Sequence, residues 1–338
     1  MAGDGEMELH VWKGDWNLPS VDPNCLAALA YCKFAGVPVC VKKTNNPWKS
    51  PSGELPVLIH GKVTETSINN IFGYLRKQNW GSDFDLTNKQ SADVIAYTSL
   101  LEEKLLPALL HSWWIDGKTY VDVTRPWYAK AAPFPLNFFL PGQKQRQASD
   151  RVYTSKGIGE NVLDTEIDAK IYKEAKECLN HLSYKLGDQD FFFGSSPSSL
   201  DALVFGFLAP ILNAPLPGSQ LTNHLRGCPN LCSLCTKIIQ RFFPPSAEDI
   251  DTHKKEKQEE KKMSDASLDF PHKKRNMFLS AIFAAIAMVG YAFMSGLVQI
   301  EVVDEEKESS PSPAKPSEPS NFEFQPLFTE DDEQQEDS

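Results

Sequence analysis

Residues 191–210, FFFGSSPSSLDALVFGFLAP, decide how the fold is read. From Leu200 to Ala209 the chain is apolar on nearly every side, and a helix without a polar face has no place at a surface; it belongs in the centre of a helical bundle. Just before it, Ser198-Ser199-Leu200-Asp201 fits a capping box, in which hydroxyl and carboxylate satisfy each other's exposed backbone N–H groups. The surrounding segments supply the rest of a bundle. Asp93–Trp114 is strongly apolar on one side, with Pro107 expected to kink it, and Glu166–Leu186 is amphipathic. Between Gln143 and Asp164 the helix boundaries stay open.

Upstream, the first 80 residues follow another period. Glu8–Trp12 (ELHVW) starts as a strand, and Asn24–Phe34 carries Leu26, Leu29, Ala30 and Phe34 at helical spacing. Val37–Val41 is a β-branched run after the break at Gly36. LPVLIHGKVTE then reads as a hairpin turning at His60-Gly61, and Ser67–Leu75 as a helix with Ile68, Ile71, Phe72 and Leu75 on one face. The order strand, helix, strand, hairpin, helix makes a small α/β unit over 1–80, followed by a helical domain over 88–245.

The formal net charge of −11 is not spread evenly. Residues 301–338 hold 13 acidic and 2 basic residues, which leaves 32 of each sign in residues 1–300. No basic excess remains to neutralise a phosphate backbone, so nucleic acid is excluded as a partner. MAGDGEMELHVWKGDW lacks the basic start and apolar run of a secretory signal, and the seven cysteines are read as reduced thiols in the cytosol. Residues 246–276, with eight acidic and eight basic residues, read as a charged linker, and 301–338 as an acidic disordered tail.

Between them, residues 277–300 run for 24 positions without a charge. As a helix they would extend roughly 36 Å against a hydrocarbon core of about 30 Å, so a transmembrane helix is expected there. Lys273, Lys274 and Arg275 before it, and Glu301, Asp304, Glu305 and Glu306 after it, place the N-terminal domain in the cytosol and the tail across the membrane.

A strand–helix–strand unit with hairpin and short helix, followed by a helical domain with S-x-x-D ahead of its most buried helix, resembles the glutathione transferase fold over roughly residues 6–245. More specifically, LLEEKLLPALLHSWWID, PFPLNFFLPG, FFFGSSPSSLDALVFGFLAP and NLCSLC resemble the metaxins, outer-mitochondrial-membrane proteins of that fold. The expected fold class is therefore an α/β thioredoxin-like N-terminal domain plus an all-α C-terminal domain, glutathione-transferase-like, followed by one C-terminal transmembrane helix. The resemblance implies a non-catalytic adaptor in mitochondrial protein import and β-barrel sorting and assembly. Its implied partners are metaxin 2, the outer-membrane sorting and assembly machinery, and the lipid bilayer through residues 277–300. The implied location is the mitochondrial outer membrane, with the tail in the intermembrane space. No cofactor, metal, catalytic residue or small-molecule substrate is expected.

The competing reading is a residual glutathione-dependent transferase. Such an enzyme needs a Tyr, Ser or Cys at the start of the first helix to stabilise or supply a thiolate. Counting back from Val37-Pro38 puts Asp22 there, an ionised group that would repel a thiolate and raise the thiol's pKa; Ser20 and Cys25 lie close by. Thr64-Glu65-Thr66-Ser67 stands where a glutathione carboxylate would be held, with Thr66 able to replace a serine. TNNPWKSPSG (Thr44–Gly53) favours a loop where transferases have a second helix, and Pro56 matches a cis-proline position. His224, Cys228, Cys232 and Cys235 have offsets that suit zinc, but one short helix rarely brings four ligands together. A packed helix is the simpler account. The proline-bounded loop Pro133–Gly142 and the pair Trp113-Trp114 each admit two readings, core packing or a surface for a partner. His10, His60, His111 and His181 are scattered with no visible carboxylate or nucleophile partner and are assigned no chemistry. A third reading, a tether whose task is to place the acidic tail beyond the membrane, predicts that only the tail matters.

Overall fold

The computed structural model describes residues 6–155, 164–217, 219–244, 278 and 280–288. The chain divides into two units, Met1–His253 and Lys254–Ser338. The first begins with a four-stranded sheet in the order β2-β1-β3-β4. β1 (Met7–Trp12) runs parallel to β2 (Val39–Thr44), with Leu9 opposite Val41, and antiparallel to β3 (Val57–His60), which turns at Gly61 into β4 (Val63–Glu65). Met7, Leu9 and Val11 are buried, as alternation along a strand covered on its inner face requires, and Trp12 at the strand's end is buried on the other face.

α1 (Pro23–Phe34) follows β1, and every residue from Cys25 to Cys32 is buried. A one-sided stripe was expected here. The helix packs along α9 (Ser199–Asn213), which is buried from Ser199 to Ile211, and also meets the second helix of the sheet unit and the last helix of the bundle, so neither α1 nor α9 shows solvent a continuous face. α2 (Ile68–Lys77) closes the sheet unit. A Thr87–Gln90 capping box starts α3 (Asn88–Leu100): the Thr87 N–H donates to Gln90 Oε1 at 2.9 Å and the Gln90 N–H to Thr87 Oγ1 at 3.3 Å. The chain then stays helical through a wide π turn at Leu101–Leu105, α4 (Leu106–Leu110) and a second π turn at His111–Ile115. The bend expected at Pro107 takes this form. Proline can donate no hydrogen bond to the turn behind it, and widening that turn removes the clash with its ring.

A three-residue helix α5 (Gly117–Thr119) and a further π turn lead to α6 (Arg125–Ala131), α7 (Leu136–Ser155), α8 (Asp164–Leu186), α9, α10 (Gln220–Arg226) and α11 (Pro229–Phe242). The loop expected over Pro133–Gly142 is a loop only to Pro135. From Leu136 it is helix, because Leu136, Leu140, Ala148 and Val152 recur on one face that is buried, and this outweighs the hydrogen bond lost at Pro141. Between α8 and α9, the Asp201 carboxylate accepts from the Ser198 N–H at 2.8 Å, the Ser198 hydroxyl at 2.6 Å and the Phe192 N–H at 3.0 Å. The capping box is thus present and also secures the turn before it.

The expected transmembrane helix at 277–300 is corrected. No helix among the described residues is long and apolar enough to cross a membrane. Phe278 and residues 280–288 are described, as helix, and a helix over 280–288 would extend only about 14 Å, half of a hydrocarbon core. The other positions of that stretch, the linker 246–276 and the tail 301–338 lie outside the described residues. The anchored topology, with a cytosolic domain, a tail in the intermembrane space and lipid contact through 277–300, falls with the spanning helix.

Candidate functional site

A cleft of about 410 Å³ opens where the sheet unit meets the helical domain. One wall is made by the starts of α1 and α2 with Glu54 and Leu55; the other by Leu106, Leu109, Trp113 and Trp114, with Lys144 and Arg151 of α7 at its edge. The Leu55–Pro56 peptide beside it is cis.

Asp22 stands at the head of α1 as its N-cap. Oδ1 accepts the Cys25 N–H at 2.9 Å, satisfying a donor that the first helical turn leaves unpaired. Burial raises its carboxyl pKa, opposed by Lys144 and the Cys25 amide. Ser20 is fully buried, and its Oγ accepts the Asp22 N–H at 3.4 Å. Cys25 is fully buried too; burial, then the Asp22 charge, pushes its thiol well above the usual range. A thiol held protonated is neither nucleophile nor thiolate stabiliser. The three candidates therefore meet at one place, but all three serve to cap and pack α1.

Tyr128 also reaches this point from α6. Burial pushes its phenol well above the ordinary value, helped by Asp22 and Cys25. Sequence reasoning missed it, since nothing local in RPWYAK ties it to Asp22. At the second helix start the hydroxyl beside the cleft is Ser67, the N-cap of α2, and not Thr66. Ser67 makes no side-chain capping bond there. Thr44–Gly53 holds only a single 3₁₀ turn, Pro47–Lys49, capped by Asn46, and is otherwise the loop that its prolines and small polar residues favour.

Trp113 and Trp114 are buried cleft walls inside an aromatic cluster. Trp16 meets Trp113 edge-on at 5.6 Å, Trp114 lies 4.9 Å from Tyr128, and Trp12 lies 5.4 Å from Tyr128. The Trp127 indole N–H donates to Asp15 at 2.7 Å across the same junction. Trp16 and Asn17 both have left-handed backbone angles, φ 53° and 60°, a conformation that costs each about 1–2 kcal/mol and that the surrounding rings hold in place.

The zinc reading loses its geometry. The His224 ring bonds Asn180, Cys232 Sγ donates to the Leu225 carbonyl, and Cys235 lies in the core with its thiol pushed up by burial. Among the described residues no group of His, Cys, Asp or Glu is placed to hold a metal ion. Three of the four histidines assigned no chemistry do have partners, and the His10 ring lies 3.0 Å from Glu8. His111 lies 2.8 Å from Asp168 and 3.1 Å from the Tyr172 hydroxyl, and His60 lies 2.8 Å from the Tyr74 hydroxyl. The His111 contacts join the second π turn to α8 and the His60 contact joins β3 to α2, and spacing in sequence cannot reveal them.

Thiol labelling checks the burial. With a disulfide reagent on the native protein, half-buried Cys40 and Cys232 should react, with Cys40 first. Cys25, Cys32, Cys178 and Cys235 should react only on unfolding, since burial raises each of their pKa values. Rapid labelling of Cys25 in the folded chain would contradict the packing described.

Comparison with known proteins accords with the geometry. A family model described as an outer mitochondrial membrane transport complex protein matches residues 25–145, and one described as the C-terminal domain of glutathione S-transferase matches residues 175–238. Human metaxin-1 is 48% identical over 297 residues, covering 87% of this chain and 62% of the human protein; mouse metaxin-1 is 47% identical over 297 residues, covering 87% and 92%. The chain belongs to the metaxin family. This metaxin therefore spans less than two thirds of the human relative and more than nine tenths of the mouse one. The structure of the β-etherase LigF from a Sphingobium species is 15% identical, with a TM-score of 0.47, covering 73% of this chain and 99% of that one; a likeness at that level carries no argument. In this metaxin Asp22, which the count from Val37-Pro38 puts at the thiolate position, is a helix-capping carboxylate.

Proposed function

We propose that this metaxin is a non-catalytic adaptor in outer-membrane protein sorting, presenting a transferase-like body to other proteins of the import and β-barrel assembly machinery, a second metaxin among them. The observation that carries the reading is Asp22: the residue where a transferase activates its thiol instead completes the hydrogen bonding of α1, while the scaffold around it is kept. A scaffold whose catalytic position has become structural keeps its surfaces, and surfaces are what an adaptor needs.

The test uses the full chain, immunoprecipitated from detergent-solubilised mitochondria, with glutathione titrated calorimetrically into the same purified protein. Outer-membrane import proteins should co-purify, with no saturable glutathione heat up to about 1 mM, where binding is worth only about 4 kcal/mol. Glutathione binding with turnover abolished by Ser20→Ala or Cys25→Ala, and no stable partners, would restore the transferase.

A further inference from the structure

On the first unit, the described surface carries a concentration of large apolar side chains that the cleft does not use. α6 and α7 pack against each other as a helical hairpin, and its tip carries Phe134, Phe138 and Phe139, exposed at 74%, 70% and 64%. Leu136 and Leu140, between and beside them, are buried, so the hairpin is anchored from below while three phenylalanines project. Phe134 and Phe138 meet edge-on at 6.0 Å. Trp48, 59% exposed, borders the same place from the loop after β2: it shares a small pocket with Leu140 and Gln143, and Gln143 lies one turn along α7 from Phe139.

Charge around this tip has one sign along both contributing segments. Residues 129–149 contain Lys130, Lys144 and Arg146 and no carboxylate, and residues 40–53 contain Lys42, Lys43 and Lys49 and no carboxylate. Lys42 pairs with Glu8 at 4.0 Å, and Glu54 lines the small pocket beside Trp48 and Lys144. A projecting apolar tip set among cations suits a soft interface, where rings enter the acyl boundary and cations meet phosphates.

We propose that the α6–α7 tip, with Trp48 beside it, docks on an anionic bilayer surface as a peripheral contact. It involves no spanning helix and uses none of residues 277–300. The contact would hold the cleft and the rest of the helical domain at a fixed face towards lipid. It stands on charge and shape alone, so the adaptor reading and this one can fail separately.

The test places the photoreactive phenylalanine analogue p-benzoylphenylalanine at position 138 of the full chain, with a second variant carrying it at Tyr184, which is 91% exposed on α8. Both positions are exposed, and unchanged melting of each variant establishes that it folds. Each is irradiated with vesicles of phosphatidylcholine alone or of three parts phosphatidylcholine to one part phosphatidylserine, and with isolated mitochondria. Position 138 should give lipid adducts, at least about fivefold more with the anionic vesicles, the effect expected of a single cation at such a surface, and fewer at high salt. Position 184 should give few. Equal lipid adducts at both positions, none at 138, or exclusive adducts of 138 to a protein in mitochondria would each overturn the proposal, the last in favour of a protein groove.

Discussion

Replacing Asp201 with alanine should cost the folded chain about 3 kcal/mol or more at neutral pH, measured by urea unfolding of the first unit's cooperative transition. The fully buried carboxylate accepts three donors, and alanine leaves the Ser198 and Phe192 N–H groups buried with no acceptor. Each such orphan costs about 1–3 kcal/mol. The effect should also depend on pH. Burial pushes the Asp201 carboxyl up to about 6 from 3.8, so between those values the folded chain holds a proton that the unfolded chain has released. That contribution favours folding at low pH and is lost as pH rises through 6. The gap between the natural chain and Asp201→Ala should therefore widen by about 1 kcal/mol from pH 7 to pH 5. A loss under about 1 kcal/mol, or a gap that narrows towards pH 5, would show that water reaches the turn.

The consequence goes beyond one helix start. Next to Ser198, the Ser199 N–H donates to Asp83 at 2.8 Å, and Asp83 lies 3.7 Å from Arg76 at the end of α2. The capping box, the chain between the two domains and the sheet unit are thus one connected polar system. Loosening it displaces α2, whose N-terminal residues line the cleft.

What the sequence made legible was local. The hairpin at Gly61, the capping box at Ser198 and the buried character of α9 follow rules that act over a few residues, and each could be read from its own stretch. What it hid depended on distant neighbours. The stripe in α1 suggested a helix with one free side, because nothing in Pro23–Phe34 announces that α9 will cover the other. The prolines in 133–142 suggested a loop, because the stripe that keeps α7 helical continues to Val152, beyond the window in which the prolines dominate. An uncharged run over 277–300 satisfied the length rule for a membrane span, and the described residues hold no helix that meets it. At the cleft, Asp22 was found by counting, but Tyr128, Trp16 and the Asp15–Trp127 bond come from parts of the chain that only the fold brings together. That Asp22 caps α1 through the Cys25 N–H was not legible in the count back from Val37-Pro38.

The last expectation concerns the seam on which all of this rests. α1 and α9 approach most closely at Gly206, where an added Cβ would lie 2.5 Å from the Pro23 carbonyl oxygen and 2.9 Å from Ala27 Cβ. Neither is the flexible end of a side chain, so the helices must move apart. Gly206→Val should cost about 3 kcal/mol or more, at the upper end of overpacking, and Gly206→Ala somewhat less, although alanine is the better helix former by about 1 kcal/mol. Adding Ala27→Gly should recover only part of the loss, since the Pro23 carbonyl remains in the way. Gly73 in α2 provides the contrast: an added Cβ there meets nothing within 4 Å, so Gly73→Ala should stabilise by about 0.5–1 kcal/mol. One substitution type with opposite signs at two helical glycines separates steric closure from propensity in a single set of thermal melts. Because Pro23 and Phe207 both line the cleft, the Gly206 variants should also widen it, making Cys25 accessible to the thiol reagent before global unfolding. If Gly206→Ala is neutral and Cys25 stays protected, α1 and α9 are not packed as closely as their glycine and alanine imply, and the seam between the two domains is softer than described.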